Sequence, residues 1–193
     1  MGELVQDAEN LLDFLKIKSC LFIGLSIGGM IGQSLAFKRP DLIEALVLSN
    51  TTTKFGDTAL WEERISVAKK EGIEGLADAI MQRWFAPEFH QNPEIEAWRN
   101  LLVRTPQEGY IGCSYAISET DLANTTSTLK LPTLCIAGEF DGSSPPAVMQ
   151  ALNDLIVNSR MVTIENAGHL PCVEKPEIFA QHLNNFMREI NFV

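Results

Sequence analysis

Four short apolar runs, each followed by a stretch with helical character, constrain the fold of this chain more than any other feature. Cys20-Leu21-Phe22-Ile23, "ALVLSNT" (45–51), "LPTLCIAG" (131–138) and "SRMVTIEN" (159–166) have the length and bounding turn signals of buried strands. A helix precedes them, because Leu4, Ala8, Leu11, Leu12 and Leu15 recur at helical spacing with Glu3, Asp7 and Lys16 opposite. Further helices are expected from the first strand to near Pro40, from Ser144-Pro145, and from about Pro176. Between Phe55 and about Leu122 strand signals disappear and helices succeed one another. Asn92-Pro93 and Thr105-Pro106 there read as an N-cap followed by a first-turn proline, with Glu108 completing a capping box. Parallel strands need helical crossovers, so the alternation predicts an α/β fold: a parallel sheet of about four strands flanked by helices. Residues 1–54 and 123–193 form its core, and 55–122 an inserted all-helical unit.

The first strand ends in "IGLSIGGM" (23–30), where Ser26 lies between Gly24 and Gly28. Strand, sharp turn, then helix is the context in which Gly-x-Ser-x-Gly becomes a nucleophile elbow. The turn is expected to be so tight that both flanking positions favour glycine. A glycine-rich connection without chemistry would share this pattern, so the discriminating feature is an acid and a histidine later in the chain.

Both are present, in that order. In a parallel sheet, functional groups collect where loops leave the carboxyl ends of the strands. Asp141, in "EFDG", follows the third strand, and His169, in "NAGHLPC", follows the fourth. Asp-Gly is also a turn signal and Glu139 is a rival acid, but it lies closer to the strand end. His90 falls in the helical insert and His182 in the middle of an outer helix. The expected site is therefore catalytic Ser26, Asp141 and His169 at one edge of the sheet. The Ser26 hydroxyl should lie within hydrogen-bond reach of one imidazole nitrogen and Asp141 near the other. Imidazole would take the serine proton, the carboxylate would fix the ring's tautomer, and the backbone N–H of Ile27 would donate to the oxyanion. The reaction class is acyl transfer to water.

The 193-residue chain has a hydrophobic fraction of 46% and a formal charge of −10. That charge makes nucleic acid and anionic membranes poor partners. No run approaches a membrane span, and "MGELVQDAEN" lacks the features of a signal peptide. Cys20, Cys113, Cys135 and Cys172 are scattered, with Cys20 and Cys135 read as buried thiols, so a reducing cytoplasm is the expected compartment. Only three histidines exist and none has ligand spacing to a cysteine, so no metal is expected.

The chain resembles the α/β-hydrolase superfamily and, within it, the 3-oxoadipate enol-lactonases of bacterial aromatic catabolism (the β-ketoadipate pathway). The stretches are "GLSIGGMIGQSLAFKRPDLIEALVLSNT" (24–51), "FGDTALWEERISVAKKEGIEGLADAIMQRWF" (55–85), "TPQEGYIGCSYAI" (105–117), "LPTLCIAGEFDGSSPP" (131–146) and "NAGHLPCVEKPEIF" (166–179). The second and third lie in the insert, which the resemblance identifies as a cap domain, and they match the lactonases more narrowly. The resemblance implies a serine esterase hydrolysing an enol-lactone to 3-oxoadipate with no cofactor. Other ester or C–C bond hydrolysis, or a non-catalytic remnant, are the alternative readings. An anionic lactone or ester calls for a local cation in so acidic a protein. Arg83, beside Trp84, is the substrate-binding candidate, against the alternative that "RWF" merely packs the cap onto the core.

The resemblance also implies further strands ahead of the first one here, and a second oxyanion donor from the loop after the third of them. No His-Gly or other glycine-rich loop precedes Ser26. The expectation for the 193-residue chain alone is therefore little or no lactonase activity, and self-association through the strand edge at 20–24, binding of another segment there, or poor solubility.

Overall fold

The computed structural model describes residues 1–192. Helix α1 (Gly2–Phe14) leads into strand β1 (Cys20–Leu25), helix α2 (Ile27–Lys38) and strand β2 (Ile43–Ser49). Five helices follow: α3 (Thr58–Glu71), α4 (Glu74–Trp84), α5 (Ile95–Val103), α6 (Gln107–Ser118) and α7 (Ala123–Thr126), with a 3-10 turn at Pro87–Gln91. Strand β3 (Thr133–Gly138), helix α8 (Pro146–Leu155), strand β4 (Ser159–Ile164), α9 (Pro171–Glu174) and α10 (Pro176–Glu189) complete the chain. The strands form one sheet in the order β1-β2-β3-β4, and every neighbouring pair is parallel.

The central strands explain this architecture. Along β2, Leu46 and Leu48 enter an apolar cluster with Leu35 of α2 and Met149 and Leu152 of α8. Ala45 and Val47 point the other way, into a cluster with Phe179 and Phe186 of α10. In β3, Cys135 and Ala137 join the first cluster while Leu134 and Ile136 join the second. Both faces of these strands are covered, as a parallel sheet requires. The helices between β2 and β3 have a core of their own, built from Ile65, Ala68, Ile80, Met81, Phe85 and Leu102 among others. None of the described helices is long and apolar enough to cross a membrane.

Four local expectations are corrected. First, Cys20, expected to be a buried thiol, is half-buried: β1 is the sheet edge expected at 20–24, β2 covers one side of it only, and Ile23 is 48% exposed. Second, α1 is rotated from the leucine stripe. Val5 and Glu9 are buried, whereas Leu11 and Leu15 are exposed. Glu9 can turn inward because Lys38 and Arg39 at the end of α2 meet its carboxylate.

Third, neither proline begins its helix in the expected way. Asn92 accepts from the Glu94 N–H at 2.9 Å in the turn before α5, which starts at Ile95. Fourth, Thr105 donates back to the Leu101 carbonyl at 3.4 Å and caps nothing in α6. In both places the side chain binds backbone outside the helix it precedes, a competition open to Asn and Thr.

Candidate active site

Each parallel strand ends at the same edge of the sheet, so the residues that follow them meet there. Ser26 follows the last residue of β1 and Asn50 the last residue of β2; Asp141 and His169 lie in the loops after β3 and β4.

Ser26 has φ 55° and ψ −120°, a conformation a non-glycine residue holds only when its surroundings force it. Its N–H donates to the Ser49 carbonyl at 3.0 Å. Its own carbonyl accepts from the Gly29 N–H at 2.9 Å and the Thr51 hydroxyl at 2.6 Å. The elbow is thus fastened to the end of β2. Ile27 opens α2, so its N–H has no intrahelical acceptor and is free for an incoming oxygen.

The glycine requirement differs from the expectation. A Cβ on Gly24 would lie 2.5 Å from the Gly28 carbonyl carbon and 2.6 Å from the Gly29 nitrogen. A Cβ on Gly28 would meet nothing within 4 Å, whereas one on Gly29 would strike the Thr51 side chain. The turn needs space at 24 and 29; residue 28 faces open space.

Asp141 is 3% exposed and fully hydrogen-bonded. One carboxylate oxygen accepts from the backbone N–H groups of Ser143 (2.7 Å) and Ser144 (3.1 Å). The other accepts from Asn50 Nδ2 (2.9 Å), Ser144 Oγ (2.7 Å) and His169 Nδ1 (2.8 Å). Burial pushes its pKa up, but hydrogen bonds from His169, Ser144 and Asn50 with the His169 charge outweigh it, leaving a value of about 2. The carboxylate therefore stays ionised and acceptor-only, which puts a proton on His169 Nδ1. Glu139, the rival acid, is exposed and accepts from the Asn166 N–H instead.

His169 is also buried, and its N–H donates to the Trp84 carbonyl at 2.7 Å. Its ring stacks on Trp84, with centroids 6.4 Å apart and planes 24° from parallel. Glu174 steadies the same loop from behind. It accepts from the Gly168 N–H at 2.7 Å and, across to the helical insert, from the Ala86 N–H at 2.8 Å. Gly142, beside Asp141, donates to the Arg83 carbonyl at 3.1 Å. Both loops that carry the acid and the base are therefore tied to the backbone at the end of α4.

Ser26, Ile27 and His169 open into one cavity of about 490 Å³, roofed by α3, α4 and α6. Among the described residues no hydrogen bond joins Ser26 Oγ to the imidazole, so the second expected contact of His169 is formed and the first is not. The wall includes Arg83 and Trp84, together with Arg64 and Tyr110, and no Asp or Glu. Arg83 Nε is buried without a hydrogen-bond partner. Burial, then the neighbouring Arg64 charge, lowers the pKa of Arg83, while Tyr110 offsets them in part. Phe85, the last residue of "RWF", is the one that packs: it is 2% exposed and stacks on Phe89.

Asn50, Glu174, Arg64 and Tyr110 carry no expectation from the sequence, and Ser144, expected only to start a helix with Pro145, instead bonds Asp141 ahead of α8. Asn50 had a usable signal, since it follows an apolar strand at the functional edge. Arg64 had another: it shares a helical face with Trp61, Ile65 and Ala68, where a cation is out of place.

A serine elbow, a buried acid–imidazole pair and a helical roof over a parallel sheet define an α/β-hydrolase. The chain belongs to the Ndr family, whose sequence profile matches residues 1–193. It is 33% identical over 193 residues to 3-oxoadipate enol-lactonase 2 of Acinetobacter baylyi, covering 99% of this chain and 72% of that protein. The enol-lactonase of Burkholderia xenovorans LB400 superposes with a TM-score of 0.93 at 33% identity, over 97% of this chain and 72% of the other. A thermophilic esterase of Thermogutta terrifontis, solved with malate bound, gives 0.90 at 30% identity, over 96% and 71%.

Proposed function

We propose that this chain hydrolyses a carboxylate-bearing ester or lactone, with 3-oxoadipate enol-lactone as the leading substrate, through Ser26, His169 and Asp141. The observation that carries the reading is the Asp141–His169 pair at 2.8 Å, buried beside Ser26 in a cavity with cations and no acids in its wall. Asp141 holds the Nδ1 proton, which leaves Nε2 as the base. Nε2 takes the Ser26 proton as Oγ attacks the acyl carbon, and the Ile27 N–H donates to the oxygen that becomes negative. The imidazolium returns its proton to the leaving oxygen. Water then attacks the acyl-serine with the same base and releases the acid and free Ser26. In a lactone the leaving oxygen stays on the same molecule, so the product gains a second carboxylate.

Arg83 supplies the cation for the substrate's carboxylate, and Trp84 the flat wall beside the base. The identity to enol-lactonases and the malate-bound esterase support an anionic substrate. The test is hydrolysis of monomethyl adipate and of a neutral chromogenic ester by the parent chain and Ser26→Ala. Turnover that disappears in Ser26→Ala supports the reading; turnover that persists places the chemistry elsewhere.

A further inference from the structure

Arg64 is the least expected side chain in the cavity. It lies on α3, three residues after Trp61, on the face that packs into the insert. Trp61 is 8% exposed and its indole N–H donates to the Phe55 carbonyl at 2.7 Å, so the ring is a fixed platform. The Arg64 guanidinium sits over that ring, 4.8 Å from its centroid. Among the described residues neither Arg64 nor Arg83 forms an ion pair, whereas Arg39, Arg99 and Arg160 all do. Burial lowers the pKa of Arg64 and raises that of Tyr110, whose side chain lines the same cavity as both guanidiniums.

Two half-buried like charges without a counterion are a standing cost, because desolvation and mutual repulsion add. Arg64 cannot relieve that cost by losing its proton, since guanidinium stays charged in proteins. In a chain of net charge −10, a wall that collects two arginines and no carboxylate is arranged for an anion from outside. We infer that Arg64 and Arg83, with the Tyr110 hydroxyl between them in role, form a two-armed site for a single carboxylate of the acyl substrate, and that Arg64 is a specificity-determining residue. A planar carboxylate offers about four lone-pair directions, enough for two guanidinium edges and a hydroxyl. The site selects acyl compounds ending in a carboxylate over neutral esters of equal length. This deepens the reading above and rests on it for the position of the scissile bond only.

Binding separates the two. With Ser26→Ala, monomethyl adipate and dimethyl adipate are titrated while the fluorescence of the three tryptophans, two of them in the cavity wall, is followed. Monomethyl adipate should bind more tightly, and Arg64→Gln in that background should weaken it by roughly 10- to 100-fold, the range of a charge-assisted pair. The diester should lose at least tenfold less. Arg64→Lys, which keeps the charge but not the fork, should recover part of the loss. Should Arg64→Gln fail to fold, Arg64→Lys in the Ser26→Ala background carries the test: it should bind the monoester more weakly than Ser26→Ala alone and spare the diester.

Equal losses on both esters would reduce Arg64 to packing on Trp61. A monoester affinity unchanged in Arg64→Gln, or in Arg64→Lys where the former does not fold, would also overturn the inference. Arginine-dependent monoester binding by a chain that hydrolyses neither ester would leave this site standing and bring down the hydrolase reading.

Discussion

Gly24→Ala and Gly28→Ala, identical changes on either side of Ser26, should have opposite effects. At 24 the new methyl would sit 2.5 Å from one backbone carbon and 2.6 Å from a backbone nitrogen. Carbon atoms are at rest near 3.5 Å, so the overlap is about 1 Å. Backbone at the start of α2 cannot rotate away like a side chain. Overpacking costs about 1–3 kcal/mol, and the upper end applies here. For a chain of this length each kcal/mol moves Tm by roughly 2–4 °C, so Gly24→Ala should melt about 6–12 °C lower.

At 28 the methyl meets nothing, and alanine in place of glycine inside a helix is worth up to about 1 kcal/mol. Gly28→Ala should hold Tm or raise it by up to roughly 4 °C. Catalysis should follow the same division. A displacement of Ser26 by about 1 Å costs on the order of 100-fold in turnover, which Gly24→Ala should show on a neutral chromogenic ester and Gly28→Ala should not. Circular dichroism melts and initial rates on the three proteins decide it. A Gly24→Ala protein that melts with the parent, or a Gly28→Ala protein that falls as far as Gly24→Ala, would refute this account of the elbow.

Asp141→Asn should cut turnover roughly 10⁴-fold, by unsettling the imidazole tautomer. Because the folded pKa of Asp141 is about 2 against an ordinary 3.8, its roughly 2 kcal/mol of stabilisation is fully present above pH ~4 and lost as pH falls through ~2. Denaturant titrations of parent and variant should therefore converge by about that amount on acidification; a gap that stays constant with pH would contradict it. Gly138→Ala should destabilise severely, since its methyl would strike the Gly168 carbonyl and lie 2.7 Å from the Ala167 oxygen, separating the β3 and β4 loops. A parent-like melt would show that these loops yield. The open edge of β1 should pair with a second copy of the chain at residues 20–24. Ile23→Lys should weaken that association in sedimentation, and two monomers at high concentration would dismiss the proposal.

Strand and helix order could be read in the sequence because parallel sheets leave unmixed signals: short apolar runs with helical spacing between them. What misled the reading was tertiary context. The leucines of α1 outvoted Val5 and Glu9 because no periodicity reveals that Lys38 and Arg39 await a carboxylate. The edge at 20–24 was expected, but the partial exposure of Cys20 was not, since an apolar run does not report how far each residue of an edge strand is covered. Ser26, Asp141 and His169 stood out because an elbow, an acid and an imidazole each followed their own strand. Asn50 and Ser144 did not, because hydrogen bonding to a buried carboxylate imposes no spacing along the chain.

The segment at the end of α4 was the hardest to read, and the two expectations for it, clamp or packing, fall to different residues. Phe85 packs, while the Arg83 side chain enters the cavity. The backbone has a third part to play. The last carbonyls of a helix have no intrahelical donor. Those of Arg83 and Trp84 are taken by the N–H groups of Gly142 and His169, neighbours and members of the acid–base pair. Backbone bonding of this kind is independent of residue type, so no motif reports it. Its consequence is that the helix that carries Arg83, the proposed partner of the substrate's carboxylate, also ties together the acid and base loops. A side-chain change at Arg83 should therefore act on binding, whereas a shift of the α4 terminus should act on binding and turnover together.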